Sequence, residues 1–114
     1  MSRGMWWNRL RRFIREQELM AKVYTVFVDD NFHYMDESER YKLGEFADCA
    51  SAMAACKQIV DEFLTTHGPK NSATELYHQY VTFGEDPWIS SEDSECKFSA
   101  WNYARERVKE LVQK

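Results

Sequence analysis

Tyr24, Val26 and Val28 alternate with Thr25, Phe27 and Asp29, and a period of two marks a strand with one buried face. Val23 to Val28 are all β-branched or aromatic, the side chains that suit a pleated, half-buried surface. The pattern predicts a strand over residues 23–28. A second run, residues 40–46, puts Tyr41 and Leu43 on one face and Lys42, Gly44 and Phe46 on the other. Gly44 marks a bulge or a close backbone approach in that strand. The two strands read as a hairpin whose connection opens with Asp29-Asp30-Asn31 and closes with Asp36-Glu37-Ser38-Glu39. Such short polar side chains hydrogen-bond their own backbone in turns. The connection exceeds what a tight hairpin needs, and long ordered loops tend to carry function.

Beyond the hairpin the period changes to that of helices. Asp48 is a good N-cap. After it, Cys49, Met53, Cys56, Val60 and Phe63 recur at spacings of four and three, and Ala50, Ala52, Ala54 and Ala55 add helix propensity. Gly68 and Pro69 stop that helix, predicted over 48–66. Its apolar stripe is expected to lie across the inner face of the hairpin. Ser72 and Glu75 form a capping box ahead of a shorter helix with Leu76, Tyr77, Tyr80 and Val81 on its buried face, ended by Gly84. Residues 87–90 read as a brief extended piece, which Pro87 restricts to a strand start or an edge. Residues 91–97 read as a polar loop. The last helix, predicted over 99–113, has Phe98 and Tyr103 placed as a hydrophobic staple and Trp101, Ala104, Val108, Leu111 and Val112 as its inner stripe. Together these elements predict a two-layer α+β domain, a small antiparallel sheet with a short third strand covered by three helices. The helices at 48–66 and 99–113 are expected on one face.

At the start of the chain, Trp6, Trp7, Leu10, Phe13 and Ile14 fall on one helical stripe, with arginines opposite. This basic amphipathic helix, residues 1–19, reads as an extension of a domain over 20–114 that begins at Met20. Charge supports the division. Residues 1–22 hold six cations against two acids, and the rest holds nine against seventeen, so a net charge of −4 hides a basic arm on an acidic body. That distribution argues against a general nucleic-acid binder, though the arm itself suits phosphate, an anionic membrane surface or a partner groove.

The chain has 114 residues, 44% of them hydrophobic and 15% aromatic, which suffices for one domain with its own core. Three cysteines, an odd number, favour free thiols and a reducing compartment, so a cytoplasmic protein is expected. Cys49 and Cys56 read as small buried hydrophobes, and Cys96, in a polar loop, as the exposed, oxidisable thiol. No apolar run approaches the ~20 residues of a membrane span.

Chemistry is sparse. The acidic connection offers Asp29, Asp30 and Asp36 as oxygen ligands for a hard cation. EF-hand spacing from Asp29 nevertheless places Tyr34 where Gly is needed and Arg40 where Glu is needed. Asp29 and His33 could act as a base and its orienter, but nothing supplies a nucleophile or an oxyanion site. No motif calls for a cofactor. Aromatic side chains crowd the turns, and Tyr and Trp also build binding surfaces. Phe32, His33, Tyr34, Phe83 and Trp88 therefore define a candidate groove between the 29–40 connection and the 83–90 segment.

The runs FVDDNFHYMDESERYKLGEF, KQIVDEFL, YVTFGEDPW and FSAWNYARER resemble a small family of bacterial α+β proteins with no assigned activity. The resemblance covers residues 20–108 or so; it implies a domain start at Met20 and names no catalytic residue. The sequence thus points to a non-enzymatic interaction or regulatory module that binds a protein partner or a second copy of itself. The alternative it leaves open is a small metal-dependent or acid–base hydrolase using the 29–39 loop.

Overall fold

A computed structural model describes residues 22–33, 36–68 and 72–112. Three strands form one antiparallel sheet: β1 (Tyr24–Asp30), β2 (Tyr41–Phe46) and β3 (Glu85–Ser90), in the order β2-β1-β3. Three helices accompany it: α1 (Cys49–His67), α2 (Ala73–Phe83) and α3 (Ala100–Val112). The α+β expectation holds. The amphipathic helix expected over 1–19 and the domain boundary at Met20 lie outside the described residues.

The caps predicted from local chemistry are in place. Ser51 N–H donates to the Asp48 carboxylate at 2.7 Å, Glu75 N–H to Ser72 Oγ at 3.1 Å, and Asn102 N–H to Ser99 Oγ at 3.3 Å. The Phe98 and Tyr103 rings meet at 5.7 Å, as a staple requires.

Tertiary pairing moved several boundaries. β1 runs on through Asp29 and Asp30, where turn chemistry was expected. The cause is β3, which starts at Glu85 and pairs Asp30 with Glu85, Asp29 with Asp86, and Val28 with Pro87. Pro87 sits on an edge strand, where its missing N–H is tolerated. In β2 the register slips between Val26–Gly44 and Phe27–Lys42, leaving Leu43 as the extra residue beside Gly44. Past this bulge the faces exchange, so Phe46, expected opposite Tyr41, shares the inner face with it and packs on the core.

α1 bridges two apolar clusters, and its buried positions are Ala52, Cys56, Val60 and Leu64, one step round from the expected Met53 and Phe63. Ala52 and Cys56 pack with Tyr24, Val26 and Val28 of the sheet. Val60 and Leu64 pack with Leu76 and Tyr80 of α2 and with Ala100, Ala104 and Val108 of α3.

The cysteine reading is overturned. Cys49, at the start of α1, and Cys96, in the loop before α3, form a disulfide with Cα atoms 5.9 Å apart. Cys96 is 5% exposed, and only Cys56 is free, buried, with its thiol pushed up to about 11 by that burial. An odd count is compatible with one bond and one buried thiol, and the fold, not the spacing, joins residues 47 apart. The expected cytoplasmic location rested on free thiols and loses that support. Among the described residues no helix is long and apolar enough to cross a membrane.

Candidate functional site

One end of the sheet gathers the polar connection, the start of β3 and the start of α3. The single residue Gly84 links α2 to β3. A Cβ at that position would meet the Tyr80 ring at 2.5 Å, so only glycine lets the chain turn so close to the helix. The turn leaves Phe83 at the very end of α2, beside the residues that follow β1.

Asn31 fastens these pieces. It is 6% exposed and its amide donates to the Gly84 carbonyl at 3.0 Å. Its Nδ2 donates to the Tyr80 carbonyl at 3.0 Å, and its Oδ1 accepts from Trp101 Nε1 at 3.1 Å. A buried side chain amide satisfied on both sides fixes its neighbours tightly. Phe32, the next residue, stacks on Phe83 with centroids 5.5 Å apart and 20° between planes. His33 meets Phe32 edge-on at 5.1 Å. The two phenyl rings nevertheless stay 61% and 58% exposed.

Beside the rings lies a recess of about 150 Å³ whose walls include Asp29, Asp30, His33, Asp36, Arg40 and Asp86. Its carboxylates come partly from an unusual register: two acid–acid pairs, Asp29 opposite Asp86 and Asp30 opposite Glu85, close the β1–β3 ladder. Like charges directly opposite are destabilising, and three of these four groups have a donor. Arg40 forks onto Asp29, with Nε–Oδ1 at 2.6 Å and Nη2–Oδ2 at 3.2 Å. His33 Nδ1 lies 2.9 Å from Asp30 Oδ2, which holds that carboxyl below its usual range and lifts the imidazole above its own. Tyr41 donates its phenol to Glu85 at 2.9 Å. Asp86 alone has no hydrogen bond or ion pair among the described residues. Burial, and then the neighbouring Asp29 charge, push it up to about 6.

Asp86 also borders a second cavity of about 450 Å³, walled by Trp88, Phe98 and Trp101 and by the first turns of α3. Trp88 lies on the outer sheet face, stacked on Phe27 at 5.1 Å with the Arg40 guanidinium 5.1 Å above its ring.

The candidate groove is therefore assembled differently from its expectation. Phe32, His33 and Phe83 come together. Trp88 does not join them, because Pro87 turns inward against Val28 and the next residue must face the other way. Tyr34 lies outside the described residues. Of the carboxylates proposed as ligands, Asp29 is held by Arg40, and Asp36 caps its own short 3₁₀ turn by accepting from Ser38 N–H at 3.0 Å. Asp30 is placed differently, its ligand atom lying with those of His33 and Glu39 within 4.8 Å of one another. The proposed Asp29–His33 acid–base pair is likewise replaced by Asp30–His33. Sequence reasoning missed Asn31, Arg40, Asp86 and Trp101 as organisers; only tertiary pairing brings them to one place. Compared with known proteins, the chain matches no family model, no curated protein and no solved structure.

Proposed function

We propose that this chain is a non-enzymatic protein-interaction module whose docking face is the Phe32–Phe83 pair and the acidic recess beside it. The partner is a polypeptide segment bearing an aromatic or aliphatic anchor flanked by arginine or lysine. The observation that carries this reading is the pair itself: two large rings, fixed in place by the buried Asn31, that remain more than half exposed. Rigid aromatic anchors lose little conformational freedom on binding and dominate interface energies. The surrounding carboxylates supply charge complementarity and steering. The acid–base or metal alternative is less supported, since two of its three proposed ligands, Asp29 and Asp36, already hold other partners.

A segment of the required composition is at hand in residues 1–19, where Trp6, Trp7, Leu10 and Phe13 accompany five arginines. The module could thus engage a second copy of itself. The test titrates a labelled synthetic peptide of that sequence against the full chain, followed by fluorescence anisotropy. Binding should weaken as salt is raised, and should weaken roughly tenfold or more in the double variant Phe32→Ser/Phe83→Ser. Both rings are mostly in solvent, so that variant should melt within about 0.5 kcal/mol of the parent. A peptide that binds the variant as well as the parent, or that fails to bind either, overturns the proposal.

A further inference from the structure

The four carboxylates that close the β1–β3 ladder are not treated alike, and the exception sits at the wall between two cavities. Asp29, Asp30 and Glu85 each have Arg40, His33 or Tyr41 as donor, and Asp86 has none. Arg105, which also lines the larger cavity, is committed elsewhere: it donates to Asn102 Oδ1 at 3.2 Å and to Tyr77 Oη at 3.1 Å, and lies over the Tyr77 ring at 5.2 Å. Trp88 lines the same cavity as Asp86, and its indole N–H is buried behind the ring with no acceptor among the described residues. An unmatched carboxylate and an unmatched donor at one cavity are groups that burial should have paired. The cavity, at about 450 Å³, opens widely to solvent, and its lining divides evenly between aromatic or apolar residues and polar ones, which suits a small ligand with both kinds of surface.

From this geometry we infer that the cavity between Asp86, Trp88 and Trp101 is a binding site for a small organic cation with a flat apolar body. An aryl amidinium or a benzylic ammonium has the required form. Its charge would supply the partner that Asp86 lacks, and its ring would lie among the tryptophans and Phe98, where aromatic faces favour a cation as well as a flat surface. Asp29 cannot be the attraction, because Arg40 already neutralises it. The site lies apart from the phenyl pair but shares Asp86 with the acidic recess, so the Phe32→Ser/Phe83→Ser variant is what tells this proposal from the docking reading.

Binding should also displace a proton. Asp86 titrates at about 6, and a bound cation favours its ionised form. The charged and titratable groups around it are Asp29 from β1, Arg40 from the β1–β2 connection, Tyr80 from α2, Cys56 from α1 and Arg105 across the cavity. His33, in the smaller recess, has its imidazole lifted above its ordinary range by Asp30.

The experiment is calorimetric titration of the full chain with benzamidine and with benzamide, its neutral isostere. Benzamidine should bind roughly tenfold or more tightly than benzamide, the advantage expected of a charge-assisted pair. Near pH 6 its apparent heat should vary with the ionisation enthalpy of the buffer, reporting proton release. Asp86→Asn should abolish both the preference and the proton release, while Phe32→Ser/Phe83→Ser should retain them. Equal affinity for the two probes in the parent chain overturns the proposal. So does a preference or proton release that survives Asp86→Asn, which would assign the cation to Asp30 and His33 in the recess. In the parent chain, a benzamidine heat near pH 6 that does not vary with the buffer also overturns the proposal, a result that needs no variant to fold.

Discussion

The two ends of the sheet are closed in opposite ways. At the end where β1 begins, the closure is covalent and apolar. The Cys49–Cys96 bond ties α1 to the loop before α3, Tyr24 donates its phenol to Asp93 at 2.9 Å, and Val26, Ala52 and Cys56 fill the space beneath. At the end where β1 finishes, four carboxylates crowd one ladder, a single buried asparagine joins three elements, two phenyl rings lie in solvent, and one carboxylate is unmatched. Among the described residues, groups that folding alone would pair or bury are concentrated at the second end, although Val23, just before β1, is also half exposed. A surplus of that kind has a physical cost, and binding at that end is what would offset it.

The largest effect should come from opening the covalent end. Cys49 and Cys96 are 47 residues apart, and closing a loop of that length constrains the unfolded chain by about 4 kcal/mol. Reduction, or Cys49→Ala/Cys96→Ala, should lower the denaturant midpoint by a stability loss of about 3–4 kcal/mol. The Phe32–Phe83 face should survive, so peptide binding by the folded fraction should persist. A midpoint insensitive to reductant would remove the covalent side of the contrast.

A second, smaller loss tests the hydrogen-bonded end. Asn31→Ala removes the hydrogen bond from the Trp101 indole and the one to the Tyr80 carbonyl. Losing both bonds at a buried position should destabilise the fold by about 2–3 kcal/mol. Because Phe32 and Phe83 would no longer be fixed, peptide binding should fall as well, beyond what stability alone explains. If Asn31→Ala unfolds less than Phe32→Ser/Phe83→Ser, the asparagine is not what organises this end.

The contrast also separates what could be read from the chain. Helix starts at Asp48, Ser72 and Ser99 were legible because an N-cap is a contact between near neighbours in sequence. The alternation of Tyr24, Val26 and Val28 was legible for the same reason. The disulfide was not, since an odd count and a separation of 47 residues name no partner. Nor was the β1–β3 register, because facing Asp29 with Asp86 and Asp30 with Glu85 violates the charge rule any strand alignment would apply. Phe32, His33 and Phe83 were picked out correctly as neighbours by their place at turns. Trp88 was misplaced, though the alternation starting from an inward Pro87 carries the signal that would have set it on the other face.

The smallest effect, and the one with a sign of its own, concerns Asp86. Its carboxyl is pushed up from 3.8 to about 6 in the fold, so the native state holds that proton more tightly than the unfolded chain does. Below about pH 3, where both states are protonated, the group contributes nothing. As pH rises from about 4 to about 6 the unfolded chain releases its proton first, and native stability declines; above that it levels off. A shift of this size sets a ceiling of about 3 kcal/mol, which partial exposure and the nearby Arg40 reduce to about 1–2 kcal/mol. Asp86→Asn removes the charge while keeping the shape. It should therefore melt with the parent below about pH 3 and be more stable than the parent by about 1–2 kcal/mol near neutral pH. The Asp30–His33 pair titrates outside this window, the carboxyl held below its usual range and the imidazole lifted above its own, and it is present in both proteins, so the difference between their stability–pH curves isolates Asp86. A flat difference, or a less stable variant at neutral pH, would mean that Asp86 has a partner after all and that the polar end is as fully satisfied as the disulfide end.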